Sequence, residues 1–190
     1  MGREFELKYR ADDRQIDAIR ARYGDFSAIS METTYYDTSS RDLRRLRWTL
    51  RRRYENGKSV CTLKTPLPDG SRGEWETECS TIGDAIPELC KLSNSHALLL
   101  LTAGGVAPFC GARFTRLAKT LVLDRCTVEL ALDQGVLLGG GQELPFAEVE
   151  VEYKSGDEQA AVAFAQALSG EFSLIPEPKS KVQRATELAI

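Results

Sequence analysis

Histidine is nearly missing from this chain: His96 is the only one, in a segment with no partner-like residues nearby. Catalysis through a histidine base and His-rich metal binding are therefore not expected. The five cysteines (Cys61, Cys79, Cys90, Cys110, Cys126) are odd in number and show no C-x-x-C spacing. No disulfide framework or zinc site is implied, and reduced thiols in a cytoplasmic protein are expected. No apolar run approaches the about 20 residues needed to cross a bilayer; the longest lies around Ala97–Leu101. Arg3, Glu4, Glu6 and Lys8 interrupt any apolar signal region at the N-terminus, so no membrane association is expected. Excess positive charge is also lacking. A formal net charge of −3 argues against bulk nucleic-acid binding. No linker, repeat or low-complexity tract divides the 190 residues, which suit a single domain over 1–190 with a sizeable core.

What the chain does have is alternation. In Glu4-Phe5-Glu6-Leu7-Lys8 a strand would place Glu4, Glu6 and Lys8 on one face and Phe5 and Leu7 on the other. Residues 3–10 read as a strand, Asp13–Tyr23 as a helix stopped by Gly24, and Thr33–Thr38 as a strand. Trp48–Tyr54 and Ser59–Lys64 read as a hairpin turning at Asn56-Gly57. Arg72–Cys79 reads as a further strand, and Ile82–Leu101 as interrupted helix. Phe114–Leu123 and Cys126–Asp133 read as a second hairpin, followed by a turn at Gly139–Gly141 and a strand over Phe146–Tyr153. A helix over Glu158–Leu168, closed by Gly170, completes the reading. Antiparallel hairpins with helices between them indicate an α+β fold.

The charged faces recur on nearly every strand. Arg51 and Arg53 alternate with Leu50 and Arg52, and Thr62 and Lys64 with Cys61 and Leu63. Arg72, Glu74, Glu76 and Glu78 share a face opposite Trp75. Glu129 and Asp133 oppose Val128, Leu130 and Leu132; Glu148, Glu150 and Glu152 oppose Val149, Val151 and Tyr153. Any one of these strands fits an open sheet with a wet polar face. Taken together, faces rich in Arg and Glu with little Ser, Thr or Asn fit a closed barrel with its apolar faces outward and a charged lumen. Burying such charges unpartnered is costly. A polyanion with divalent metal would satisfy them, Arg and Lys holding phosphate oxygens and carboxylates holding the metal.

On these residues the sequence resembles the CYTH superfamily, the triphosphate tunnel metalloenzymes. The Glu-x-Glu-x-Lys signature stands as Glu4, Glu6 and Lys8, Leu-Arg-x-Arg as Leu50–Arg53, and Thr-x-Lys as Thr62–Lys64. Arg-x-Glu stands as Arg72–Glu74, a lone strand arginine as Arg116, and the acidic strand and turn as Glu129–Gly135. Glu-x-Glu stands as Glu148–Glu150, and the C-terminal Ser-Lys with its downstream arginine as Ser180-Lys181 and Arg184. The order of motifs covers nearly the whole chain; residues 80–112 add none. The resemblance implies a closed eight-stranded antiparallel β-barrel with flanking helices. It is nearest the bacterial inorganic tripolyphosphatase-like branch, through Leu132–Gly135. Only Met1-Gly2-Arg3 precede Glu4, so the His-Phe pair of the cyclase branch is missing. The sequence ends soon after the Lys motif, so the helical phosphate-binding domain of some bacterial relatives is not expected.

The implied activity is metal-dependent hydrolysis of a triphosphate chain, foremost inorganic tripolyphosphate to pyrophosphate and phosphate. Lys8, Arg51, Arg53, Lys64, Arg72, Arg116, Lys181 and Arg184 would clamp phosphate oxygens. Glu4, Glu6, Glu148 and Glu150 would carry one or two Mg²⁺ or Mn²⁺ ions, with Glu74, Glu76 and Asp133 as further ligands or water-positioners. Catalysis is expected to rest most on Glu4, Glu6, Lys8, Arg53, Glu150 and Lys181. The partner is a small-molecule triphosphate, with no nucleic acid or membrane, in a monomer or homodimer. The rivals are a thiamine or nucleoside triphosphatase, a class IV adenylate cyclase, and a non-catalytic polyphosphate or nucleic-acid binding module. For the organic triphosphatases, Trp48, Trp75 and Tyr35 could stack a ring, but Trp48 and Trp75 alternate onto the apolar faces and read as core. A basic run including Arg44, Arg45, Arg47 and Arg52 would serve the binding module.

Overall fold

Period-two alternation sets the architecture, a single antiparallel sheet whose apolar face is covered by helices. The computed structural model describes residues 2–68 and 71–188, with side chains from Phe5 onward. The N-terminal half runs β1 (Gly2–Glu4), β2 (Glu6–Arg10), α1 (Asp13–Tyr23), β3 (Ser27–Asp37), α2 (Asp42–Arg45), β4 (Thr49–Glu55), β5 (Lys58–Pro66) and β6 (Arg72–Glu78). Next come α3 (Ile82–Ser93) and α4 (Ala97–Thr102). The C-terminal half runs β7 (Ala107–Val122), β8 (Cys126–Gly139), β9 (Gln142–Gly156), α5 (Glu158–Phe172), β10 (Ile175–Pro176) and α6 (Lys181–Glu187). Among the described residues no helix is long and apolar enough to cross a membrane.

The ten strands lie in the order β1-β6-β5-β4-β3-β7-β8-β9-β2-β10. A closed eight-stranded barrel is expected; among the described residues the ladder has ten strands and is not closed by hydrogen bonds. The N-terminal strand breaks at Phe5: β1 pairs with β6 (Glu4 opposite Arg72), whereas β2 pairs with β9 (Lys8 opposite Glu150). The chain itself therefore joins β1, at one end of the ladder, to β2, next to the other end, through Phe5, whose carbonyl accepts from Tyr153 N at 2.9 Å. Side chains from both ends, Arg72 on β6 and Glu6 on β2, line one cavity, so the sheet is curled around it. The α+β class is as expected.

Two apolar layers lie outside the curl. On one flank Val128, Leu130, Leu132, Val149 and Val151 are buried beneath α1 (Ile16, Ile19) and α5 (Ala161, Ala165, Leu168). On the other, Leu50, Cys61, Leu63 and Trp75 pack on α3 (Ile82, Ala85, Ile86, Leu89) and Leu98 of α4. Each fully buried aliphatic side chain is worth roughly 1.5–3 kcal/mol, so these layers pin which strand face turns inward. α1 starts at a capping box, Asp12 accepting from Gln15 N and Gln15 from Asp12 N, both at 2.8 Å. It ends at Gly24, which takes φ 56°. The hairpin turn at Asn56 and Gly57 has φ of 49° and 87°, the left-handed pair expected there.

Four local expectations need correction. β3 begins at Ser27 and β7 at Ala107, because pairing along the sheet extends both strands well beyond their β-branched stretches. Trp48 precedes β4, since the chain is still leaving α2 through Arg47 at φ 58°. α5 runs past Gly170 to Phe172, and Ser173 (φ 53°) takes the left-handed cap. Beyond these, the Ser180-Lys181 motif, for which no secondary structure is expected, opens a helix, α6, capped by a box between Ser180 and Gln183. α6 seats against β8 at Gly139, where a Cβ would lie 3.1 Å from Ala185 C.

Candidate active site

The curled sheet encloses a cavity of about 410 Å³. Inward positions of successive strands supply its wall: Lys8 from β2, Arg51 and Arg53 from β4, Lys64 from β5, Arg72 from β6 and Arg116 from β7. Lys181, the first residue of α6, reaches in from the helix. Seven of the eight cations expected to clamp phosphate thus converge on one space. Arg184 is not part of the wall; it stands behind it, paired with Glu148 and 3.8 Å from Glu177.

One wall holds a buried ionic core. Asp133, Glu148 and Glu150 offer carboxylate oxygens that all lie within 4.8 Å of one another. Register explains the convergence: Asp133 on β8 lies opposite both Arg116 on β7 and Glu148 on β9. Arg116 grips Asp133 with a two-pronged fork, Nε to Oδ1 and Nη2 to Oδ2 at 2.8 Å each, and also donates to Glu150. Lys181 Nζ sits among the three carboxylates, 2.8 Å from Asp133 Oδ2 and from Glu150 Oε1, and bonded to Glu148. Three acids thus face Lys181, Arg116 and Arg184. In this structure acid and base partner each other across the register.

The balance shows in proton affinity. Burial alone would raise the Glu150 carboxyl, but Lys181 and Arg116 overcome it and hold it well below the usual range. Burial wins at Glu148, helped by the neighbouring Glu150 charge, and its proton affinity rises despite Lys181. Lys181 is driven up: burial works against its charge, and Glu150, Asp133 and Glu148 outweigh it. Arg53 goes the other way. Burial, then the neighbouring Arg51, lowers it to about 10, which marks a guanidinium short of anions.

Across the cavity the carboxylates serve the clamp. Lys64 Nζ lies 3.1 Å from Glu74, and Arg51 lies 3.4 Å from Glu74 and 3.6 Å from Glu76. Glu76 also accepts from Thr62 at 2.9 Å, and Arg72 donates to Thr49 at 3.0 Å. Glu74 and Glu76 are therefore not gathered with Asp133, Glu148 and Glu150; they pair with Lys64, Arg51 and Thr62 instead. Glu6 lines the cavity and lies 3.9 Å from Lys8. Glu4 lies opposite Arg72 in backbone register, but its side chain falls outside the described ones.

Some lining residues escaped the expected set. Glu129, Glu152 and Lys154 form a charged edge, with Lys154 2.9 Å from Glu152 and 4.0 Å from Glu129. Their period-two alignment with Asp133 and Glu150 was the available signal. Tyr35, buried to 4% exposure, faces the cavity rather than an outer core. Trp75 is core as expected. Trp48 packs against that core but also lines a second cavity of about 710 Å³, with Tyr36, Phe109, Arg44 and Arg47. The two cavities share Tyr35, Thr49, Arg72, Ser180 and Val182. The basic run divides accordingly: Arg45 is exposed and paired with Asp42, and Arg52 faces outward to the Ser80 carbonyl at 3.1 Å.

Comparison with known proteins agrees with this arrangement. An inorganic triphosphatase of Haemophilus influenzae is 28% identical over 158 residues, which cover 82% of this chain and 45% of that protein. This chain thus spans less than half the length of that relative. Among solved structures, a putative adenylyl cyclase from Hippeastrum, described as having a dominant triphosphatase activity, aligns with TM-score 0.68 at 18% identity. That match covers 95% of this chain and 93% of the other. A putative adenylate cyclase from Bacillus halodurans aligns with TM-score 0.66 at 19% identity, covering 97% and 98%. At such identities these structures speak for the fold alone. The model of the CYTH domain matches residues 2–186, and the chain belongs to the CYTH domain family.

Proposed function

We propose that this protein hydrolyses a phosphoanhydride bond of a triphosphate chain, inorganic tripolyphosphate foremost, releasing pyrophosphate and phosphate. The observation that carries the reading is the convergence of seven cations on one cavity of about 410 Å³ beside three buried carboxylates. In the proposed reaction, the oxygen of water adds to a terminal phosphorus and its proton passes to solvent or the phosphate products, while the bond to the bridging oxygen breaks and pyrophosphate leaves with that electron pair. Arg51, Arg53, Lys64, Arg72 and Lys8 bind and align the chain, which supplies much of the rate by positioning. Arg116 and Lys181 stabilise the charge that shifts onto the leaving oxygens.

Asp133, Glu148 and Glu150 are hard oxygen donors clustered closely enough to share one cation, the donor set that suits Mg²⁺ or Mn²⁺. The Lys181 ammonium among them indicates that the spot favours positive charge. Glu6, and Glu4 beside it in sequence, are proposed as further ligands. A bound divalent ion would polarise phosphoryl oxygens and lower the pKa of a coordinated water. The five cysteines are unbridged, which supports a reducing, cytoplasmic setting.

A second reading, an organic triphosphate, is favoured by the adjoining cavity with Trp48, Tyr36 and Phe109 on its wall. One assay separates the two. Phosphate release is followed for tripolyphosphate, ATP and thiamine triphosphate with Mg²⁺, with Mn²⁺ and with EDTA. Fastest release from tripolyphosphate, stopped by EDTA, is expected; preference for an organic substrate that Trp48→Ala removes would favour the second reading.

A further inference from the structure

Two aromatic rings lie directly beneath the clamp. Phe114 follows the same inward face of β7 as Arg116, and Phe146 the same face of β9 as Glu148. Both stand opposite Gly135 of β8 in the register. The two rings meet edge to face, with centroids 5.7 Å apart and planes at 67°. A Cβ at Gly135 would run into the β7 backbone, against Arg113 O and 2.5 Å from Phe114 Cα, so glycine is what lets β7 and β8 close together beside Phe114.

Four cations lie over this pair. Lys181 Nζ is 5.2 Å from the Phe114 centroid and 5.5 Å from that of Phe146. The guanidinium carbons of Arg53 and Arg116 stand 5.7 and 6.0 Å from Phe114, and that of Arg184 stands 5.5 Å from Phe146. All fall within the about 6 Å reach of a ring quadrupole on a cation. Phe114 is 5% exposed, so little water screens the attraction.

We propose that Phe114 and Phe146 form a positioning platform that holds Arg53, Arg116 and Lys181 for the phosphate chain, with Arg184 packed on Phe146 behind the wall; this rests on the triphosphatase reading above. Arg53 makes the case. Among the described residues its nearest carboxylate is Glu55 at 3.7 Å, and its other bond is to the Thr33 hydroxyl at 2.9 Å. A carboxylate beside it would fix the guanidinium but cancel its charge and compete with phosphate. A ring face orients the cation and adds no net charge, so its attraction for an anion survives. At Arg53 the platform thus gives the clamp order without occupying it.

Fluorinated phenylalanines at position 114, from mono- to pentafluoro, test this, because fluorine cancels the ring quadrupole while nearly keeping its shape. Affinity for tripolyphosphate is measured calorimetrically in EDTA, beside phosphate release with Mg²⁺ or Mn²⁺ and the melting temperature. A stepwise loss of affinity reaching about tenfold, mirrored in kcat/KM and with the melting temperature held, is expected. Affinity that is flat across the series, or that falls only with the melting temperature, overturns the platform. Phe146→Leu, at a partly exposed site, should weaken binding in the same direction; if position 114 does not accept fluorine, undiminished affinity in this variant overturns the platform instead. Wild type that binds tripolyphosphate but releases no phosphate would sink the hydrolase reading, and the affinity series would still test the platform.

Discussion

Replacing Lys181 by Met keeps the length and apolar stem of the side chain and removes only the ammonium. That ammonium contacts Asp133, Glu148 and Glu150 at once, and the side chain is 7% exposed. Without it three acids face two guanidiniums in a site that water barely reaches. Removing one partner of a buried ion pair costs about 3–5 kcal/mol. In a chain of this size each kcal/mol moves the melting temperature by about 2–4 °C, which puts the drop in EDTA at roughly 6–20 °C. A divalent ion should reverse much of it, because Lys181 and the metal seek the same oxygens. The variant should therefore bind Mn²⁺ more tightly than wild type while hydrolysing more slowly. Thermal melts of both proteins in EDTA and across a Mn²⁺ titration read all of this. A variant melting within about 2 °C of wild type in EDTA, with no steeper response to Mn²⁺, would refute the reasoning.

Other outcomes follow from the same geometry. Tripolyphosphate at about 100 times its dissociation constant should stabilise the protein by about 2.7 kcal/mol, and Arg53→Ala should need far more ligand for the same shift; equal melting curves would contradict the clamp. Gly135→Ala should destabilise by about 1–3 kcal/mol through overpacking, because the new methyl meets the β7 backbone at Arg113 and Phe114, and urea unfolding checks it. Arg52→Ala, on the outward face of the same strand as Arg53, should leave phosphate release within about twofold of wild type; a loss as large as that of Arg53→Ala would mean the strand faces are misassigned.

Much of this molecule is written in local periodicity. α1 falls at Asp13–Tyr23 as expected because its cap residues and apolar spacing agree. The inward cations follow from alternation once the apolar faces are assigned outward. What alternation cannot supply is which charges meet, since that depends on register and on how far the sheet curls. Asp133 joined Glu148 through pairing between β8 and β9, while Glu74, equally acidic and equally inward, met Lys64 and Arg51 instead. The break at Phe5 was hidden for a similar reason: five residues of clean alternation span a point where the chain changes partner strand. α6 was visible only as a motif, because seven residues make a helix here through a capping box and docking on β8 rather than through their own periodicity. Phe114 read as an ordinary strand aromatic, although it sits two residues from Arg116 on the same face.

The most direct measurement is phosphate release from tripolyphosphate with Mg²⁺ or Mn²⁺ by wild type, Arg53→Ala and Glu150→Gln, each checked for folding by circular dichroism. Release by wild type that stops in EDTA, and falls by about 10²–10³ in each folded variant, is the predicted result. Undiminished release by both variants, or none by wild type from any triphosphate, would contradict a charged lumen built for phosphoanhydride hydrolysis.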